Sequence, residues 1–300
     1  MRILVAGGQG QVGSALAQQG LEQSLDLIAL SRQNLDITSA ESIAAVFNEY
    51  EPDLLINAAA YTAVDKAESE PELAYAINET ATALLADACA ERGIPMLHIS
   101  TDYVFDGTKD SPYVETDAVN PIAVYAKSKE AGERALRERL ERHIILRTSW
   151  VFGVQGNNFV KTMVRLAKDR DRLTVVADQF GGPSSARGIA EALLTIAAQY
   201  QSGSSIAWGT YHYCQKPYVS WHQFAEAIVA RAIEKGLVDH AVELVPIPSS
   251  EFPTPVLRPK NSRLCTDKIC KSLCVNQSDW DSDLDIVLEN LLHYCGIVEK

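Results

Sequence analysis

The chain of 300 residues is short of most features that would take it out of the ordinary globular class. No window holds the roughly 18 apolar residues that a membrane-spanning helix needs, and no internal repeat or low-complexity segment occurs along it. The opening Met1–Gly8 is apolar over too short a distance for a secretory signal and runs straight into a glycine-rich turn. A cytoplasmic location is therefore expected, with no membrane partner. Positive charge is scarce: 27 Lys+Arg stand against 39 Asp+Glu, a formal net charge of −12. A nucleic-acid partner is not expected, because binding a polyanion needs a basic surface. Metal-ligand spacing is missing too. Six cysteines occur, Cys89, Cys214, Cys265, Cys270, Cys274 and Cys295, without a Cys-x-x-Cys pair. Cys270 and Cys274 sit one helical turn apart, a spacing that apolar helix positions share. Reduced thiols and no metal are expected.

What is present is a regular alternation. The chain is 47% hydrophobic, enough for a sizeable core. Apolar runs at Ile3–Ala6, Leu25–Leu30, Leu54–Asn57, Pro95–Ser100 and Ile144–Thr148 read as strands. Helical patterns at Val12–Gly20, Ser39–Tyr50, Glu72–Arg92 and Ile122–Arg142 separate them. Short strands apolar on both faces, alternating with helices, predict an α/β fold with a doubly wound parallel sheet of the Rossmann type. Ligands of such sheets bind at the carboxyl ends of the strands. Beyond Thr148 the order loosens. A helix at Phe159–Asp169 and a strand at Leu173–Ala177 could extend the main sheet, and Ala186–Tyr200 reads as a further helix. Proline-rich sequence after Ser202, with strand-like Tyr211–Cys214 and Val242–Val245 and helices at Ser220–Lys235 and Asp283–Cys295, predicts a smaller mixed lobe. Residues 1–155 are expected to bind the dinucleotide, with 156–200 contributing in part, and 201–300 to form mainly the substrate lobe.

Gly7, Gly10 and Gly13 lie between the first strand and the first helix. A pyrophosphate can approach such a turn because no side chain blocks it, and the helix N-terminus behind it supplies N–H donors. The second strand ends at Ser31-Arg32, where an NAD site commonly carries a carboxylate. Arg32 could instead accept a ribose 2′-phosphate, which favours NADPH, with NADH the alternative. Asp36 could still reach the adenine side. Small residues at the end of the third strand, Ala58 and Ala60 among them, leave room for a cofactor across the sheet edge.

Tyr125 and Lys129 stand four apart near the start of a helix, hence on one face. A nearby ammonium would lower the phenol's pKa and let it protonate a carbonyl as hydride arrives. Upstream, the run Ser100-Thr101-Asp102-Tyr103 falls where the fourth strand should end. A hydroxyl there could hold the substrate carbonyl beside the tyrosine. A glycine turn, a hydroxyl after strand four and a Tyr/Lys pair on the next helix, in that order, together specify a carbonyl reductase site far better than any one of them.

These motifs resemble the extended short-chain dehydrogenases, in their nucleotide-sugar reductase branch. The resemblance runs along most of the chain. It is carried by Gly10-Gln11-Val12-Gly13, Asn57 through Pro71, Asn78, Ser100–Gly107, Tyr125–Gly132, Arg147–Gly153, Asp178–Pro183 and Arg258–Ser262. It implies Thr101, Tyr125 and Lys129 as the catalytic set. It further implies that Gly10, Gln11, Val12, Asp36, Ile37, Ala60, Tyr61 and Thr62 line the cofactor, and that Thr101, Asp102 and Trp150 contact a sugar nucleotide; Tyr103 is placed with them. Ser184 stands where the family commonly has threonine, which bears on substrate fit. The activity implied is reduction of a 4-keto-6-deoxyhexose carried on thymidine diphosphate, by a monomer or homodimer. The alternatives are a related nucleotide-sugar reductase or epimerase, or a non-catalytic regulatory subunit that would have no need of an intact Tyr/Lys pair. An acidic chain needs local cations to hold a sugar-nucleotide diphosphate. Lys161, Arg165, Arg187 and Arg258 are the candidates. Arg258, in a proline-flanked segment, is preferred, with an inter-lobe salt bridge as its other reading.

Overall fold

Ile3 and Val5 pack into one hydrophobic cluster, Leu4 and Ala6 into another. That split follows from the two-residue period of a strand covered on both faces. The structure, a computed structural model, describes the backbone of residues 1–298 and side chains through residue 292; Cys295 lies outside the described side chains. Its main sheet uses β1 (Ile3–Ala6), β2 (Leu27–Leu30), β3 (Leu54–Asn57), β4 (Met96–Thr101) and β5 (His143–Thr148). Four further segments matter below: β6 (Arg172–Val176), β7 (Gly209–Tyr213), β8 (Glu243–Ile247) and a short parallel pairing of Val151–Phe152 with Ser184–Ser185. The six-stranded sheet runs in the order β7-β5-β4-β3-β1-β2 with every pair parallel. The order reverses between β1 and β3, and the crevice at their carboxyl ends is the ligand position of such a sheet.

Helices α1 (Gln11–Glu22), α2 (Ala40–Tyr50), α3 (Ala81–Arg92), α4 (Val124–Arg139), α5 (Phe159–Asp169), α6 (Ala186–Gln201), α7 (Trp221–Glu234) and α8 (Trp280–Val298) complete the frame. Residues from α1 and α6 cover one face of the sheet. Residues from α2, α3 and the end of α4 cover the other. The region expected to be one helix from Glu72 to Arg92 is broken: Pro71–Tyr75 leads into a π-turn at Ala76–Thr80 before α3 begins. A π-turn inside a helix often marks a functional position.

Two strand placements differ from expectation. The segment read as Leu173–Ala177 does not join the main sheet. It is β6, and it pairs in parallel with β8. The segment read as Tyr211–Cys214 does not belong to the smaller lobe. It is β7, the edge strand of the main sheet beside β5. Apolar periodicity marks a strand but does not say which strand it will pair with, so both assignments were beyond local pattern. The smaller lobe is built around a third cluster, with Phe152, Val160, Leu173, Phe224, Ile228 and Leu284 at its centre. After β5 the chain passes to this lobe for α5 and β6, returns for α6 and β7, and leaves again for α7, β8 and α8.

Candidate active site

The glycine turn has the shape the sequence demanded. Gly7 adopts φ +85, in the left-handed region. A Cβ there would lie 2.7 Å from the Ala59 nitrogen, and a Cβ at Gly13 would strike the Gly7 carbonyl. Helix α1 starts behind the turn with no side chain capping it and no acidic residue in its first turn, so its leading N–H groups and dipole face the crevice. Gln11 is held at the rim by Asn158, whose Nδ2 donates to its Oε1 at 2.9 Å. Ala58, Ala60 and Tyr61 are half-buried beside the turn at the end of β3, and Thr62 is exposed. These residues fit a dinucleotide. Two of the expected lining residues fit it only through their backbone, because the side chains of Val12 and Ile37 are buried in the clusters on either face of the sheet. Arg32 is exposed at the carboxyl end of β2. Asp36 folds back on Thr38, accepting from its amide at 3.0 Å and its hydroxyl at 2.7 Å, and those bonds hold its carboxyl below the usual range.

Beside the turn, β4 ends at Thr101 and α4 begins at Val124, which brings Thr101, Tyr125 and Lys129 together. All three are buried, Lys129 to 2% exposure. Tyr125 stacks edge-on to Tyr103, with ring centres 5.7 Å apart. Its phenol pKa is pushed up by burial, with the nearby Asp102 carboxylate and Tyr103 adding to the rise and a hydrogen bond with Thr101 opposing it. The expected lowering by Lys129 is absent from this geometry. The Lys129 ammonium does not reach toward the phenol but donates to the Ile99 carbonyl at 2.8 Å and lies 3.3 Å from His98 Nε2. The helical spacing placed both residues on one face but said nothing of where a four-carbon side chain ends. Burial thus favours the neutral phenol of Tyr125. Burial lowers the Lys129 pKa to about 8, against the pull of Glu133.

Asp102 is 4% exposed; its Oδ1 accepts from Thr101 at 3.2 Å while its Oδ2 has no hydrogen-bond partner. Burial pushes its carboxyl up to about 6, with the hydroxyls of Ser262 and Thr101 opposing. An unpartnered buried carboxylate oxygen is costly, and the raised pKa is the response to that burial.

Arg258 is placed where its alternative reading put it. Its Nη2 pairs with Asp65 at 2.5 Å, and its Nη1 donates to the Tyr103 hydroxyl at 3.3 Å. It also lines a cavity with Lys109, Lys260 and Arg263. The other candidate cations are engaged or remote: Lys161 donates to the Val154 carbonyl, Arg187 pairs with Asp283, and Arg165 is exposed on α5. Trp150, at φ +49, stacks on Trp221 with ring centres 3.5 Å apart and packs against the Gly181 backbone.

Sequence reasoning assigned no role to four polar residues that frame the site, although Asn57 and Asn78 stood among the motifs of the resemblance. Asn78, in the π-turn, accepts from the Tyr61 amide at 2.9 Å and donates to Ser128 at 2.9 Å, tying the cofactor edge to α4. Asn57 and His98 pair across β3 and β4 at 3.1 Å. Glu133, fully buried, takes two bonds from Arg147 on β5 at 2.9 and 2.7 Å and one from Ser100 at 2.6 Å. The signal was available: each is a polar residue on a face whose period calls for an apolar one.

A parallel doubly wound sheet, a glycine turn at its switch point and a buried Tyr/Lys pair behind a hydroxyl at the end of β4 define the class of extended short-chain dehydrogenases. The chain belongs to the family described as the RmlD substrate binding domain, whose model matches residues 1–293. It is 43% identical over 284 residues to a dTDP-4-dehydrorhamnose reductase of Aggregatibacter actinomycetemcomitans, covering 94% of this chain and 97% of that protein. The crystal structure of a dTDP-4-dehydrorhamnose reductase ortholog from Clostridium acetobutylicum superposes with a TM-score of 0.89 at 37% identity, covering 97% of this chain and all of that one. That of the Bacillus anthracis dTDP-4-dehydrorhamnose reductase in complex with NADP gives 0.86 at 34% identity, covering 95% and 98%. Among the described residues, no helix is long and apolar enough to cross a membrane, and no group of three or more His, Cys, Asp or Glu is placed to hold a metal ion.

Proposed function

We propose that this protein reduces dTDP-4-dehydro-L-rhamnose to dTDP-L-rhamnose with NAD(P)H, in the cytoplasm. The observation that carries the chemistry is the buried Thr101–Tyr125–Lys129 cluster beside the glycine turn; the choice of sugar rests on the relatives' names. A reduced nicotinamide, when bound, supplies the hydride to C4. The turn Gly7–Gly13 and the α1 N-terminus would hold its pyrophosphate, Ala58–Thr62 its edge, and Lys129 its nicotinamide ribose. Thr101, already bonded to the Tyr125 phenol, orients the substrate carbonyl oxygen against that phenol. Tyr125 gives its proton to the oxygen as C4 becomes tetrahedral, so that C4=O plus hydride plus proton yields CH–OH. Asp102 and Tyr103 flank the sugar, and Trp150 closes the crevice from the side of the smaller lobe.

The test is the loss of reduced-cofactor absorbance with a panel of nucleotide 4-keto sugars, with NADPH and NADH compared in the parent and in Arg32→Ala. Turnover confined to the dTDP-4-keto-6-deoxyhexose supports the assignment; turnover of another sugar nucleotide, or none, overturns it. Arg32→Ala is expected to weaken NADPH selectively, by roughly 1.5–3 kcal/mol for a lost charge-assisted bond to the 2′-phosphate. Equal weakening of both cofactors would make Arg32 a solvated surface cation.

Arg258 is assigned to the substrate, through the cavity it shares with Lys109, Lys260 and Arg263. Arg258→Ala is expected to raise KM for the sugar nucleotide with NADPH affinity nearly intact. Because the Asp65 pair is partly exposed, its loss alone should cost little stability. Early melting with loss of both ligands would instead restrict Arg258 to joining the lobes.

A further inference from the structure

The indole of Trp150 is held in a slot. A Cβ on Gly181 would lie 2.5 Å from Trp150 Cε2 and 2.8 Å from each of two atoms bonded to it, Nε1 and Cζ2. Those distances put the Gly181 backbone over a ring face, because an approach in the ring plane would bring Nε1 and Cζ2 closer than Cε2. Trp221 covers the opposite face. Its ring lies within 11° of parallel with centres 3.5 Å apart, and on the Gly181 side it would stand closer to that Cβ than any Trp150 atom does. The φ of Gly181 is not left-handed, so the indole, and not the backbone, excludes a side chain there.

Both walls of the slot come from one small sheet. Phe180–Gly181 pairs with Val219–Ser220, the residues that lead directly into Trp221, and with Asn261–Ser262. Ser220 and Gln223 exchange bonds at the start of α7 and fix the base of Trp221, while the Phe159 ring leans on its indole at 4.5 Å. Ser262 brings its hydroxyl to Asp102. Trp150 itself arrives from the main sheet, two residues past Thr148, the partner of Thr101 across β4 and β5. Its φ of +49 lies in the left-handed region, which burdens a bulky residue and persists only where the surroundings over-determine it. Here they do: the Trp150 carbonyl accepts from the Ser184 amide at 3.1 Å, and Ser149 Oγ donates to the Gly182 carbonyl at 2.8 Å.

We propose that Gly181 and Trp221 are positioning residues that clamp the Trp150 indole at the sugar end of the crevice and so set how the sugar nucleotide is held. The proposal rests on the reading above in which Trp150 contacts that substrate. A free tryptophan side chain turns about two bonds. One covered on both faces presents the same rim at every binding event, so less binding energy is lost to ordering it. The slot also ties the lobes together, since its tongue follows β5 and its walls belong to the sheet that carries Ser262 to Asp102.

Each wall is tested with and without the ring it holds. Gly181→Ala pushes a methyl group into the indole, whose retreat is blocked by Trp221. It is expected to raise KM for the dTDP-4-keto-6-deoxyhexose roughly ten-fold or more, since a misplacement of about 1 Å can cost ~10² in rate. NADPH affinity, read by titration, should stay at the parent's value. In a Trp150→Ala background the same substitution should change KM by less than about two-fold, because no ring is left to displace. Trp221→Leu should act as Gly181→Ala does, and Trp221→Phe, which keeps a flat wall, should stay near the parent. An equal effect of Gly181→Ala with and without the Trp150 ring, or a lowered melting temperature with KM unmoved, shows a merely structural contact and overturns the proposal. If Gly181→Ala does not fold, the Trp221 variants decide alone: Phe no better than Leu, or both like the parent, overturns it. A raised KM in Trp150→Ala with inert walls sinks the clamp by itself. An unchanged KM in Trp150→Ala instead removes Trp150 from the substrate, and the proposal falls with that reading.

Discussion

Tyr125→Phe is expected to bind NADPH as the parent does and to lose about 10²–10⁴-fold in turnover, the range that general acid catalysis contributes. Tyr125 is 9% exposed and its phenol pKa is raised by burial, so the Phe variant removes a buried proton donor. The Phe ring keeps the edge-on contact with Tyr103 and the packing against Ala67 and Ala74, which preserves the site's shape. Steady-state turnover beside a cofactor titration separates the two effects. Near-normal turnover in a folded Phe variant would remove Tyr125 from the chemistry.

The largest stability effect is expected at Arg147. Its guanidinium is 4% exposed and the Glu133 carboxylate fully buried, joined by two parallel bonds. Burial alone would raise the Glu133 pKa, but Arg147, Ser100 and Arg137 outweigh it and hold the carboxyl below its ordinary value. Arg147→Met leaves the buried carboxylate with only Ser100 and the partly exposed Arg137, and breaking a buried pair by removing one partner costs roughly 3–5 kcal/mol. The loss should shrink as pH falls, because an unpaired buried carboxyl takes up a proton more readily. Adding Glu133→Gln to Arg147→Met should recover much of it, which a urea titration of the single and double variants would show. A single variant as stable as the parent, or a double variant no better than the single, would mean that the pair does not carry this weight. The effect should reach activity as well, since Glu133 lies one helical turn beyond Lys129 and fastens α4 to β4 and β5.

Several parts of this protein were legible in the chain alone. The strands Ile3–Ala6 and Leu54–Asn57 are bounded as their apolar runs predict, because a strand buried on both faces leaves a continuous apolar signature. Gly7 and Gly13 announce a close approach that any Cβ would block. Tyr125 and Lys129 share a helical face because four residues is about one turn. All of these are short-range requirements of backbone geometry or sterics, and short-range requirements are written in neighbouring residues.

Tertiary structure alone decided the rest, for one physical reason: a charged or polar side chain takes whichever partner the fold brings within about 3 Å, the reach of a hydrogen bond, and sequence spacing does not encode that distance. Arg258 meets Asp65 and Tyr103 from the far end of the chain. Trp150 finds Trp221, and β7 finds β5 rather than the lobe that its neighbours in sequence build. Glu133 shares a helix face with buried Ala126 and Leu136, which marks it as inward, but only the sheet beneath supplies Arg147 and Ser100 and makes it the buried anchor of α4. Spacing puts Lys129 on the face of Tyr125, but where its side chain ends, at the Ile99 carbonyl beside His98, is decided only once α4 packs on β4.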